Sequence, residues 1–478
     1  MMTERSSRAV LTAFLVLALA APAIAADLLV VERPVEAGLT WNLMARCVSG
    51  SRLVQLGADE SSVVLTPDFD GACDPSVSFD GQEILFAGRK LDTDLWQVWK
   101  MDLTTGDAIR ITNHPGHAFA PIWVGSIFHL NDETPTRRIA YLATTPTYRR
   151  VPVLHTANLD GSNALRISYG NRADLAPDVL PNGRLVYPAE ATNRRGFPLM
   201  SLAIDGTDLT AFADPHDKPR RQDRVRVGRD GRVYFVESTP SRPPGGELAY
   251  VELRRPLRSR TRLSTTDHGL FLDPAPMSDG TLLASHLAQD ADSYKLVRVD
   301  PESGRVTGEV HNRKGFHALD AQEIAARPIV PGRSTVVDDS KETGVFFCLS
   351  SHITDRPSLA HLRDGRVSRL RVIEAMGERK RYPSDPLESV MGHAPVESDG
   401  SFHIEVPARI PLRFQLLDDE DRVIAEQHTW TWVMPREWRG CIGCHEDREM
   451  VAPNILADAV IKPAIPIGIA SNDPKEGE

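Results

Sequence analysis

Cys441, Cys444 and His445 stand in the pattern C-x-x-C-H, within the stretch RGCIGCHE of a 478-residue chain that has only five cysteines. Two thiols at this spacing can each form a thioether with a vinyl group of a porphyrin, and the adjacent histidine can bind the iron. The residue frequencies give roughly two chance matches per thousand chains of this composition. The motif therefore predicts one covalent haem c, attached at Cys441 and Cys444, with His445 as an axial ligand of the iron.

Two other interpretations of the motif stay open. A structural zinc site needs four ligands, and the pair would have to recruit His445 and one more residue, because no second C-x-x-C or H-x-H cluster exists. A redox disulfide at this spacing belongs to a βαβ context, which this sequence lacks. A second axial ligand would decide between electron transfer and substrate binding. The sequence offers six candidates without singling one out: Met391, His393, His403, His428, Met434 and Met450.

The first 25 residues have the pattern of an export signal. Two arginines precede an apolar run from Ala9 to Ala21, which ends at Pro22 and leads to an Ala-x-Ala pattern before Ala26. A membrane-spanning helix needs about 20 apolar residues, which is more than this run offers. We expect cleavage before Ala26, a mature chain with no membrane span, and a periplasmic location.

The other cysteines have simpler interpretations in an oxidising compartment. Cys47 and Cys73 could form a disulfide worth roughly 3 to 4 kcal/mol, because it would restrict the unfolded chain. Cys348, in GVFFCLSS, is expected to be a buried core residue.

The charge of the chain limits its partners. There are 55 Lys and Arg against 65 Asp and Glu, giving a formal net charge of -10, and no run of like charges marks an obvious tail or patch. Nucleic acid is therefore excluded as an expected partner. The expected partners are a redox partner protein or a small-molecule substrate.

Residues 28–325 have the pattern of a repeated β structure. A strand pair recurs around Asp80-Gly81, Asn182-Gly183, Asp230-Gly231 and Asp279-Gly280, and a second pair with a polar turn follows several of these, as in WQVWKMDLTTGDAIRIT. Both units return about every 50 residues, the period of a β-propeller with four strands per blade. Five blades are visible, and a strand around Leu28–Val31 could complete a sixth by closing the ring.

The segment 318–334 is rich in proline and breaks this period, which indicates a boundary near Pro328. Several strand-like stretches follow, such as SRLRVIEA and GSFHIEVPA, and they suit a small β-sandwich or barrel of about 110 residues. The sequence thus predicts an all-β chain in four parts. These are an export signal at 1–25, a six-bladed β-propeller at 26–327, a small β-sandwich or barrel at 328–437, and a haem attachment segment with a tail at 438–478.

The C-terminal half resembles the middle domain of the hydrazine synthase alpha subunit family, most clearly in VESDGSFHIEVPA, PLRFQLLD and RGCIGCHE. That family also has an upstream propeller with segments like ACDPSVSFDGQEILFAG, and the repeats resemble WD40-like propellers of TolB-type proteins. The resemblance implies haem c at Cys441 and Cys444. In the family a tyrosine four positions after the motif histidine binds the iron, while that histidine serves a nearby zinc. Here that position is Glu449, so we expect His445 to bind iron.

Three hypotheses about function follow. The first is a monohaem c-type cytochrome-like protein that transfers electrons, with the propeller as a docking platform. The resemblance implies an alternative, a redox enzyme that acts on small nitrogen compounds at an open haem face. The third is a non-enzymatic propeller that serves as a binding protein. Two further histidines, His114 and His117 in NHPGHAF, could mark a metal or substrate loop, but turn histidines are usually polar loop residues.

Overall fold

The computed structural model describes residues 26–40, 46–59, 61–129, 134–144, 151–192, 196–213, 220–239, 244–376, 387–444 and 451–469. The export signal, His445, Glu449 and Met450 lie outside the described residues. Almost all of the regular structure within these ranges is strand, with short 3-10 helices at Val35–Ala37, Thr266–His268 and Pro357–Asp364. No helix in this part of the chain is long and apolar enough to span a membrane.

Six antiparallel sheets form the blades of a propeller, each numbered here in chain order from its innermost strand. Blades 1 to 3 consist of Gly71–Val77, Glu83–Arg89, Gln97–Asp102 and Ala108–Arg110; Ala118–Phe128, Thr136–Thr144, Pro152–Asn158 and Leu165–Arg166; and Asp178–Val179, Leu185–Pro188, Leu199–Leu202 and Thr210–Ala213. Blades 4 and 5 consist of Arg220–Val227, Arg232–Ser238, Glu247–Glu252 and Thr261–Arg262; and Leu270–Pro276, Leu282–Leu287, Lys295–Val299 and Val306–His311. Two short parallel strands are added, Arg333–Ser334 to blade 2 and Gly196–Phe197 to blade 4.

Blade 6 closes the ring by joining both ends of the propeller. Its innermost strand, Phe316–Glu323, pairs with Leu28–Pro34, and Arg52–Leu56 and Ser62–Val64 complete the sheet. Leu28–Pro34 begins with the apolar run Leu28–Val31, as expected for a strand that is buried between two neighbouring strands. The predicted sixth blade is confirmed, and the N-terminal region supplies three of its strands instead of the single one visible in the sequence.

The innermost strands share a bulge near the propeller axis. Asp74, Ala120, Asp273 and Asp320 have φ angles of 51°, 48°, 46° and 51°, in the left-handed region. Proline follows the first three of them, and it suits a bulge because a bulged position needs no ladder N–H. At the bulge, blade 1 forms a hydrogen bond with blade 2: the Asp74 carboxylate accepts the Ala120 amide at 3.1 Å.

Two four-stranded sheets follow the propeller and form a small β-sandwich. One contains, in spatial order, Trp438–Cys441, Thr343–Cys348, Phe402–Pro407 and Ile465–Pro466; the other contains Leu387–Pro395, Arg369–Met376, Leu412–Leu417 and Val423–Glu426. Alternate side chains such as Phe346, Leu370 and Ile404 fill the space between the sheets. Cys348 belongs to this core, as predicted. The predicted fold class, a six-bladed propeller followed by a small sandwich, is confirmed.

Hydrogen bonds attach the sandwich to blade 3, two of them at the turn between the two outer strands of that blade. The indole N–H of Trp432 donates to the Gly206 carbonyl at 3.1 Å. The Asp208 amide donates to the Glu437 carboxylate at 2.7 Å, and the Thr192 amide donates to the His428 carbonyl at 2.6 Å. These bonds hold the residues that lead into the C-x-x-C segment directly against the propeller.

Candidate cofactor site and propeller axis

The C-x-x-C segment continues an edge strand of the sandwich. Cys441 ends the strand Trp438–Cys441, and its carbonyl accepts the Leu349 amide at 2.9 Å. The Cys444 amide donates to the Ile353 carbonyl at 2.8 Å. Between the cysteines, a Cβ on Gly443 would collide with that same Ile353 carbonyl, so only glycine allows this close approach. The loop 349–353 therefore holds both cysteines at fixed positions.

The two sulfurs lie where the sandwich core meets the surface. Cys441 and Cys444 are half-buried and pack against the core side chains. Apolar side chains nearby in the sequence are unusually exposed: Trp438 by 64%, Val451 by 91% and Leu456 by 76%. Exposed apolar groups in this density are typical of a surface that another group covers. The described part of this region thus fits a covalently attached apolar macrocycle, while His445 lies outside it.

The structure separates the candidates for a second axial ligand. Met391 and His393 lie on the other sheet, where the Arg371 guanidinium donates to His393 Nε2 at 3.1 Å. Met434 is buried against blade 3 at Gly206, and the carbonyl of His428 also binds that blade. Of the described candidates, His403 alone lies on the sheet that carries Cys441, and its side chain projects from the opposite face of that sheet.

The imidazole of His403 has the hydrogen bonding typical of a metal ligand. Its Nδ1 lies 3.0 Å from the Lys462 carbonyl, and because a carbonyl only accepts, Nδ1 carries the proton. Nε2 then presents a lone pair, yet it is buried and has no hydrogen-bond partner among the described residues. The residue is 6% exposed and its ring centroid lies 5.6 Å from that of Trp438. His352, in the loop beside the motif, also has a buried Nε2 without such a partner.

The described part of the motif, which ends at Cys444, contains no group of three side chains placed to bind zinc. Among the described residues, three ligating side chains converge only at Cys47, Cys73 and Asp74. Cys47 and Cys73 form a disulfide there, with Cα atoms 5.7 Å apart, which confirms the predicted pairing.

The propeller axis holds a second candidate site, which the sequence analysis missed. A cavity of about 450 Å³ opens along the axis and is lined by residues of the innermost strands and by the linker 325–330. Arg46, next to the disulfide, forms an ion pair with Asp74 and lies 3.7 Å from Asp320, which also pairs with Arg226. The Asp-Pro pairs at Asp74 and Asp273 were the available signal, because they place a carboxylate at equivalent points of two blades.

The charges at the axis neutralise one another. Burial alone would lower the pKa of Arg46, but the carboxylates of Asp74 and Asp320 outweigh it and hold this pKa above its ordinary value. Burial raises the pKa of Asp273, while the neighbouring Arg224, 2.8 Å away, opposes that rise. The network therefore joins Arg46 of the N-terminal region to carboxylates on the innermost strands of blade 1 and blade 6.

His114 and His117 have structural roles in blade 1 and blade 2. His114 Nδ1 accepts the Gly116 amide at 3.1 Å, and His117 Nδ1 accepts the Trp96 amide at 3.2 Å. Burial lowers the pKa of His114, so the ring stays neutral. These bonds agree with the interpretation as polar loop residues.

Comparisons with known proteins point to one group. Residues 381–446 match the family model described as the hydrazine synthase alpha subunit middle domain. Hydrazine synthase subunit alpha of Kuenenia stuttgartiensis is 21% identical over 509 residues, which cover 83% of this chain and 62% of that protein. The chain thus spans less than two thirds of the length of this curated relative.

One solved structure shares the fold of most of this chain. The hydrazine synthase of Kuenenia stuttgartiensis superposes with a TM-score of 0.79 at 18% identity, covering 91% of this chain and 71% of the other. TolB from Acinetobacter baumannii gives a TM-score of 0.45 at 12% identity, covering 63% of this chain and 67% of the other. The chain is therefore a β-propeller protein similar to the alpha subunit of hydrazine synthase.

Proposed function

We propose that this chain is a periplasmic redox enzyme that carries one covalent haem c and acts on small nitrogen compounds. The observation that carries the proposal is the family match, which covers residues 381–446 and so includes the whole C-x-x-C-H motif on a fold similar to hydrazine synthase. A relative named for a synthase favours enzymatic activity over electron transfer alone. The N-terminal export pattern supports the location, since haem attachment of this kind requires export.

Each residue of the C-x-x-C-H motif would have its own role in holding the haem. Cys441 and Cys444 would form the thioethers, and the imidazole of His445 would bind the iron from one side. When bound, the haem supplies an iron that takes up and releases single electrons. The loop 349–353 fixes both sulfurs through its hydrogen bonds to the segment, which limits how the macrocycle can be oriented.

His403 could hold or move a proton near the cofactor, or serve as a further ligand of the metal, because its buried Nε2 has no hydrogen-bond partner among the described residues. Its side chain projects from the sheet face opposite to that of Cys441, since His403 pairs with Phe347 and Cys441 pairs with Cys348. The proposal does not extend to hydrazine synthesis itself, because Glu449 replaces the tyrosine that the family uses as iron ligand.

The attachment is tested by expressing the chain with cytochrome maturation machinery and staining the denatured protein for haem. We expect stain in the wild type and in Cys348→Ala, and none in the Cys441→Ala/Cys444→Ala double variant. Stain in the double variant would refute the attachment site. A colourless wild type that contains a stoichiometric amount of zinc would show that the motif forms a structural zinc site instead of binding haem.

The reaction class is tested by absorption spectroscopy of the haem-loaded chain. High-spin iron whose spectrum shifts with nitric oxide, carbon monoxide or hydroxylamine supports an open catalytic face. A low-spin spectrum that none of these ligands changes would instead favour the electron-transfer hypothesis. We expect the haem-loaded chain to oxidise or reduce hydroxylamine faster than the Cys441→Ala/Cys444→Ala double variant does.

A further inference from the structure

Positive charge is concentrated in blade 4, although no run of like charges marks this region in the sequence. Residues 220–262 contain 12 arginines and five acidic residues, although the whole chain has a formal net charge of -10. The sequence analysis overlooked this excess because the arginines are interleaved with strand residues and never form an unbroken run. The fold gathers the eleven of them that lie in the described ranges, all but Arg242, on one blade.

Five of these arginines lie on the hairpin between the two outer strands of blade 4, residues 252–262, called here the arginine hairpin. All five are exposed: Arg254, Arg255, Arg258, Arg260 and Arg262. The hairpin is held in shape by its own hydrogen bonds, since the Glu252 amide donates to Ser259 Oγ at 2.8 Å and the Ser259 amide donates to the Arg255 carbonyl at 3.0 Å. It therefore presents its guanidinium groups in a defined arrangement.

The acidic partners of the hairpin lie beneath it. Glu237 is fully buried and pairs with Arg260, and the carboxylate of Glu247, only 13% exposed, lies 3.4 Å from Arg262. The side chains of Arg258 and Arg262 keep 50% and 45% of their surface exposed. Glu252 is the one exposed carboxylate within residues 252–262, against five exposed arginines. An approaching molecule therefore meets mainly positive charge.

The arginine hairpin touches the loop that borders the proposed haem. Arg258 forms an ion pair with Asp355, which lies two residues after Ile353. The Ile353 carbonyl accepts the amide of Cys444, one of the two attachment cysteines. The positive surface and the cofactor segment are thus joined through a single short loop.

We infer that the arginine hairpin is the docking surface for an acidic electron-transfer protein that exchanges electrons with the haem. The inference rests on the proposed function for its redox step, in which one electron leaves the reduced partner as the ferric iron takes up one electron. A small acidic protein can contact the hairpin alone. The remaining, acidic surface of the chain would repel an extended polyanion such as duplex DNA or an anionic membrane.

Reduction of the haem by reduced flavodoxin, a small acidic electron-transfer protein, tests the inference in a stopped-flow instrument. We expect the second-order rate constant to fall as ionic strength rises, because salt screens the attraction. Arg254→Glu/Arg255→Glu should lower this constant about tenfold at low salt and remove most of its salt dependence. The matched control, Arg305→Glu/Lys314→Glu, changes the net charge equally at exposed positions outside blade 4 and should retain the wild-type rate. Equal rates in the two double variants would overturn the inference.

Binding without haem separates this inference from the proposed function. The Cys441→Ala/Cys444→Ala chain should bind immobilised flavodoxin in low salt, and the added Arg254→Glu/Arg255→Glu changes should abolish that binding. Arginine-dependent binding by this variant, together with a wild type that does not stain for haem, would support the docking surface while refuting the cofactor. Binding that the arginine changes leave intact would overturn the docking surface. Equally strong arginine-dependent binding to phosphatidylglycerol vesicles or duplex DNA would also overturn it.

Discussion

Cys441 lies directly opposite Cys348, where the strands Trp438–Cys441 and Thr343–Cys348 run parallel. Cys348 is 2% exposed within the sandwich core, whereas Cys441 is half-buried at the end of an edge strand. Neighbouring strands lie about 4.8 Å apart, so the two residues are close in space. The fold thus distinguishes two adjacent cysteines by exposure, and only the one in the motif is presented at the surface.

Replacing Cys348 should leave haem attachment intact. We expect Cys348→Ala to stain for haem like the wild type and to lower the free energy of unfolding by about 1 kcal/mol, because it removes one small buried group. Haem per mole of protein and urea denaturation measure the two effects. Loss of haem in Cys348→Ala, with Cys441 and Cys444 intact, would show that the buried sulfur takes part in attachment.

The carboxylate of Glu437 couples the cofactor strand to blade 3. It accepts the amides of Asp208 and Met434, each at 2.7 Å, and burial raises the pKa of Glu437. Glu437→Ala leaves both amides without this acceptor, so we expect a loss of about 2 to 4 kcal/mol in the free energy of unfolding.

Two variants provide the comparison for Glu437→Ala. Glu437→Gln keeps one acceptor oxygen and should lose less stability than the alanine variant. Glu420→Ala, at a side chain that is 69% exposed, should change the free energy of unfolding by less than about 0.5 kcal/mol. A Glu437→Ala chain as stable as this control would contradict the coupling.

The disulfide between Cys47 and Cys73 should stabilise the closure of the propeller. The two residues are 26 apart in sequence, and a closed loop of that length is worth roughly 3 to 4 kcal/mol through the entropy of the unfolded chain. We expect Cys47→Ser/Cys73→Ser to lose about that much in urea denaturation. Dithiothreitol should lower the stability of the wild type and leave that of the double variant unchanged.

The sequence could predict the blades because their signals are local. Turns such as Asp80-Gly81 and Asn182-Gly183 mark each strand pair within a few residues, and Gly81 and Gly183 have the positive φ that such turns need. Ring closure by residues 28–64 was only partly visible, since its pairing partner Phe316–Glu323 lies almost 300 residues later. Pairing over that separation leaves no local pattern.

The candidate cofactor site, like the fold, could be predicted from the sequence only in part. The C-x-x-C spacing singled out Cys441 and Cys444, and the backbone of each forms a hydrogen bond with the loop 349–353. Their role in haem attachment stays a prediction. The choice of His403 among six candidates depended on strand order, which places Phe402–Pro407 beside Thr343–Cys348. The contact of Arg46 with Asp320 joins residues far apart in sequence, and no spacing rule could have found it.

Asp174 makes the stability of the junction between propeller and sandwich depend on pH. Its carboxyl is buried beside Trp430 and Trp432 of the sandwich, and it pairs with the Ser168 hydroxyl. Burial raises its pKa from an ordinary 3.8 to about 7, although the hydrogen bond from Ser168 opposes the rise. The folded chain therefore holds this proton more tightly than the unfolded chain does.

The sign of the pH effect follows from that difference in proton binding. A raised carboxyl pKa contributes stability below pH 4, and this contribution is lost as the pH rises toward 7, by up to about 1.4 kcal/mol per pH unit. Asp174→Asn cannot ionise, so the wild type should lose about 2 kcal/mol relative to the variant between pH 5 and pH 7. Urea denaturation of both chains at these two values measures the difference. Parallel pH profiles would show that Asp174 is ionised in the folded protein, with its charge compensated by groups other than Ser168.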